Sequence, residues 1–135
     1  MLAIWRVIYQ DEKIRELLGL TGLPVNEIAK RIIRTSSYEG LLDNTKPPLV
    51  RLCVYFRPSR RGRIPIVSEQ VVQVDCHVPA DDHYIAWDVL ERVNELLNGQ
   101  QIGRQILHYD GFLGELPTAP KFYCAGMRFT YQNVV

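Results

Sequence analysis

Net charge is nearly absent from this chain: 16 Lys and Arg stand against 15 Asp and Glu, a formal +1 over 135 residues. A protein that holds nucleic acid or an anionic membrane through its whole surface needs a marked basic excess. Long apolar runs are missing too, and none approaches the ~18–20 residues of a membrane span. Leu2 to Tyr9 is apolar, but Arg6 interrupts it, no basic stretch precedes it and no small-residue cleavage site follows, so no signal peptide is expected. Cysteine is scarce. Cys53, Cys76 and Cys124 are odd in number and far apart, without CxxC or Cys/His ligand spacing, which speaks against a disulfide framework or a structural zinc. Each lies in an apolar run, where a reduced thiol behaves as a small hydrophobe. With 9 Gly and 8 Pro and no internal repeat, the chain is neither fibrous, disordered nor a solenoid. It also carries no P-loop, no GxGxxG after a strand, no HExxH and no GxSxG elbow.

What is present has the size and hydrophobic content of a single domain, 1–135. Leu2, Trp5, Ile8 and Tyr9 recur at helical spacing, and Asp11 is placed to cap a second helix, Glu12 to Leu18, that Gly19 ends. Pro24 opens a third segment with Ile28, Ile32 and Ile33 on one face, although 31–35 reads equally as a short strand. Ser36 to Pro48 is turn chemistry. From Leu49 the period changes to 2. Leu52, Val54 and Phe56 alternate with polar neighbours, and Val72, Val74, Cys76 and Val78 share one face opposite Gln73, Asp75 and His77. Two such runs around a turn at 58–63 make a long antiparallel hairpin. Asp81 or Asp82 can then cap a helix in which Ile85, Val89, Val93 and Leu97 form a stripe widened by Ala86, Leu90 and Leu96, with Asn98-Gly99 as its stop. A short strand at 104–110, a loop with Gly111, Gly114, Pro117 and Pro120, and a last strand at 121–132 complete the chain. Tyr123, Ala125, Met127, Phe129 and Tyr131 fall on one face of that strand. The expectation is an α+β fold: an antiparallel sheet of about four strands (49–57, 64–78, 104–110, 121–132), one long helix on a face and short N-terminal helices.

Three groups invite a chemical reading. His77, Asp81, Asp82 and His83 are metal-ligand types within a few residues, but helix capping already accounts for the aspartates. Asp110 and Glu115 read as solvated loop carboxylates. Arg57, Arg60, Arg61 and Arg63 crowd one hairpin tip of a chain with almost no net charge. A charged tip keeps a hairpin soluble. It also fits an acidic protein surface or a phosphate backbone, which arginine grips bidentately. No aromatic is interleaved there, which disfavours stacking on single-stranded nucleic acid.

Several segments resemble the tail-terminator (tail-completion) family of tailed bacteriophages. They are Lys13-Ile14-Arg15-Glu16-Leu17-Leu18 after a first helix, Pro48-Leu49-Val50 opening a strand, and Val72-Gln73-Val74-Asp75-Cys76 followed by the helix Ile85 to Leu97. Gly126-Met127-Arg128-Phe129-Thr130-Tyr131 closes the series. The Arg-rich hairpin has no match in the family pattern. The resemblance implies a structural virion protein and not an enzyme, without cofactor or metal, made in the host cytoplasm and placed in the virion neck. It would form a hexameric ring that caps the head-proximal end of the tail tube, with the tube protein and the head–tail connector or stopper as partners. DNA would pass through without sequence recognition, and no membrane would be involved. A head-completion, stopper or other minor neck protein is the alternative, and a small metal-dependent enzyme using the His77 cluster is the alternative from another class.

Overall fold

The computed structural model describes residues 2–38, 49–61 and 67–134. Helices α1 (Leu2–Tyr9), α2 (Glu12–Leu17) and α3 (Val25–Ala29) come first. Strands β1 (Ile32–Ile33), β2 (Arg51–Arg61) and β3 (Val67–Pro79) follow, then a 3-10 turn (Ala80–Asp82) and the long helix α4 (His83–Leu97). The chain ends with β4 (Gln101–Ile102), β5 (Gln105–Ile106), β6 (His108–Glu115) and β7 (Phe122–Val134). This is an α+β fold. Its sheet runs β1-β2-β3-β7-β6, and β4 and β5 form a separate small hairpin.

The sheet has five strands and is mixed, where four antiparallel strands were expected. The difference lies at Ile32-Ile33, which pair in parallel with Leu52 and Cys53. The backbone N–H of Leu52 donates to the carbonyl of Arg31 at 2.6 Å, and the connection from Ile33 to Arg51 exceeds the dozen residues that a parallel crossover needs. Gly111 and Gly114, expected in a loop, belong to β6, where the pairing with β7 skips a residue next to each of them. Such bulges hide a strand from an alternation test. The 3-10 turn displaces the start of α4, so neither expected cap operates: Asp82 precedes the helix without a side-chain cap bond, and Asp81 lies within the turn. Asp11 does cap α2, its carboxylate accepting from the Ile14 N–H at 3.0 Å. The turn chemistry expected at 36–48 lies mostly outside the described residues.

The core sits between the sheet and the helices. Ala86, Val89, Leu90, Val93 and Leu97 of α4 are buried against Val72, Val74, Cys76 and Val78 of β3 and Ala125, Met127 and Phe129 of β7. All three cysteines are free and buried. Helices α1 and α2 extend the cover toward β1, held by Trp5 Nε1 donating to the Ile32 carbonyl at 3.0 Å. Arg92 of α4 reaches Asp11 through two hydrogen bonds, 2.8 and 3.0 Å. Leu90→Asp or Val93→Asp places an unpaired charge at a fully buried position, a cost of several kcal/mol on a domain of marginal stability. Both variants are expected to lose soluble expression, checked as soluble yield against wild type.

Candidate interaction surface

Within the turn expected at 58–63, residues 58–61 are strand. β2 continues through Arg61, and its pairing with β3 shifts register between Arg57 and Arg60. The bulge absorbs Pro58 and Ser59, which an undisturbed ladder would not tolerate because proline brings no N–H. Arg57, Arg60 and Arg61 are therefore strand residues, paired with Val71, Glu69 and Ser68. Arg63 lies outside the described residues.

Beyond the rung formed by Phe56, Val72 and Phe129, the three central strands outrun their neighbours. β1 reaches only Leu52 and Cys53 of β2, and β6 reaches β7 no further than Thr130. β3 nevertheless stays paired with β2 to Arg61 and with β7 to Val134. The result is a three-stranded arm about 15 Å long at the usual rise per residue, with the arginines on its β2 edge. Its base is aromatic. Phe56 meets Tyr131 edge-on at 6.4 Å and Tyr109 meets Phe129 at 6.2 Å, with Phe56 and Tyr109 partly exposed.

A polar ladder stiffens the sheet face away from α4. Gln73, Asp75 and His77 are 5%, 5% and 3% exposed, so the polar face of β3 is as buried as the apolar one. Tyr55 on β2 donates its hydroxyl to Asp75 at 2.6 Å, and the Gln73 amide donates to the other Asp75 oxygen at 2.8 Å. The Gln73 carbonyl oxygen then accepts from Arg128 Nε of β7 at 3.0 Å. Burial pushes the Asp75 carboxyl above the usual carboxylate range, against the hydrogen bonds from Tyr55 and Gln73 and the nearby Arg128 and Arg57 charges. Burial likewise pushes the Tyr55 hydroxyl up, with Asp75 adding to it. Gly126 stands opposite Asp75 in the ladder, and a Cβ there would collide with the carboxylate and lie 2.6 Å from Leu116 Cδ1. No motif marks this ladder. The signal available was composition, since Asp75 is the one charged residue between Val71 and Pro79.

The other tempting groups are not brought together. His77 is enclosed by Thr118 (Nδ1 to Oγ1, 2.8 Å) and by Cys124 Sγ, 3.6 Å from Nε2. His83 lies exposed against Tyr84 and Tyr123, and Asp81 is exposed. Among the described residues no three His, Cys, Asp or Glu are grouped to hold a metal. Asp110 and Glu115 are exposed on β6. Met127 and the alternate residues of β7 pack into the core as expected.

Two measurements test this face. Gly126→Ala is expected to lower stability by about 1–3 kcal/mol through overpacking, whereas Gly111→Ala, with open space around the added methyl, should stay within about 0.5 kcal/mol; urea midpoints of both variants decide it. Burial, aided by the Arg51 charge, lowers His77 from 6.5 to about 4. The fold therefore keeps the imidazole neutral while the unfolded chain takes up a proton, and stability falls as pH drops from 6.5 toward 4. His77→Gln removes that contribution, so the wild-type midpoint should fall more steeply over this window than the variant's.

No protein-family model and no curated protein matches this chain, so the surface is characterised by its own residues.

Proposed function

We propose that this chain is a structural subunit of a bacteriophage neck, repeated as a ring on the head-proximal end of the tail tube and joining it to the head connector. The observation that carries the reading is the arm: a paired, three-stranded projection with arginines on its edge, outside the part of the sheet that α4 covers. Such a projection adds little to the core and much to reach. The tail-terminator resemblance spans the elements that build the domain, from α2 through the Val72–Cys76 run and α4 to β7. In a ring, each copy repeats Arg57, Arg60, Arg61 and Arg63, so a contact made by one arm is made by every copy. Single exposed ion pairs contribute only ~0–1 kcal/mol, but pairs engaged together reinforce one another through effective concentration. Among the described residues no helix is long and apolar enough to cross a membrane.

The triple change Arg60→Glu, Arg61→Glu, Arg63→Glu tests the reading. The subunit should fold, shown by an unchanged thermal transition, while the yield of tail-joined particles falls at least about tenfold. Normal yield from the folded variant would reduce the arginines to solubilising residues and remove the support for the reading.

A further inference from the structure

The outward stripe of α4 is left unused by the fold. With Ala86, Val89, Leu90, Val93 and Leu97 buried on one side, Tyr84, Asp88, Glu91 and Glu95 line the opposite side at helical spacing. Tyr84 is 57% exposed, and Trp87, which packs on Phe112 in a tilted pair with ring centroids 4.6 Å apart, is 48% exposed. Two adjoining grooves of about 610 and 150 Å³ run between α2 and α4 and share Lys13, Leu17 and Arg92. Their walls carry six carboxylates, of Asp11, Glu12, Glu16, Asp88, Glu91 and Glu95, against those two cations. Arg92 is engaged by Asp11 and Glu95. Glu12, Glu16, Asp88 and Glu91 have no ion pair among the described residues.

Arginine is the side chain that fits this face, since it grips carboxylates bidentately. The arm of the same chain is where arginine is concentrated. We infer that the arm of one copy docks on the α2/α4 face of the next. This rests on the ring-subunit reading and names the partner of the arm as a second copy of this chain. Arm and face are different surfaces, so the contact is head-to-tail, and every copy in a series offers one of each. The near-zero net charge then comprises two opposed patches that attract between copies, while whole subunits do not repel.

Charge reversal on both surfaces tests the pairing. One variant carries Arg60→Glu and Arg61→Glu, the other Asp88→Arg and Glu91→Arg, all at exposed or strand-edge positions, with circular dichroism confirming the fold. Wild type should sediment above the 15.6 kDa monomer at low salt, its association weakening at least about tenfold as salt screens the contact. Each variant alone should remain at 15.6 kDa, because its arm and face then no longer carry opposite net charge. Their equimolar mixture should recover association, since the unchanged arm of the second variant meets the unchanged face of the first. Two outcomes overturn the pairing and leave the ring reading standing: variants that associate as wild type does, or a mixture that stays monomeric although wild type associates. Wild type that remains monomeric at low salt, alone and with tail tubes, overturns the ring reading itself.

Discussion

Burial of β3 on both faces is the constraint on which the rest of the structure depends. A central strand with one apolar and one polar face normally leaves the polar face wet. Here Val72, Val74, Cys76 and Val78 meet the helix layer while Gln73, Asp75 and His77 are buried on the other side. A buried carboxylate is tolerable only when its oxygens are hydrogen-bonded, and Tyr55 and Gln73 supply those bonds to Asp75. The pairing register follows. A slip of one residue would point Tyr55 to the opposite face and remove Gly126 from its place across from Asp75. The same ladder draws Arg128 to Gln73, so β2, β3 and β7 are tied together by side chains as well as by backbone.

That tying allows three strands to continue past their cover. An isolated two-stranded ribbon is marginal in water, but the arm is three strands wide and grows from a base fixed by the ladder on one face and by Phe56, Tyr131, Phe129 and Tyr109 on the other. On the helical side, the Asp11–Arg92 contact clamps α2 to α4. The cation of α4 is thereby spent internally, and Asp88 and Glu91 are left as an uncompensated outer face. The fold thus sorts a balanced set of charges into a basic arm and an acidic helix layer.

Much of this was legible in the residues. Period 3.6 located α4, Asp11 and Gly19 bounded α2, and alternation located the β2–β3 hairpin and the packed face of β7. These signals are local, arising from backbone preference and from which side chains share a face. The boundaries failed where a bulge intervened. Pro58 read as a turn because proline usually interrupts a ladder, and Gly111 and Gly114 read as loop for the same kind of reason, yet all three lie within strands.

The sequence by itself determined the α+β class, the apolar stripes that meet in the core and the clustering of arginines between Arg57 and Arg63. Only the tertiary structure decided that the polar face of β3 is buried, that Gly126 makes room for Asp75, that Ile32-Ile33 joins in parallel, and that Arg57, Arg60 and Arg61 stand on a strand edge. Each of these depends on what a distant segment places opposite a residue. Alternation assigns a side chain to a face, but whether that face meets water or another layer is set by Tyr55 and Thr118, residues 20 and 41 positions away from the ones they cover.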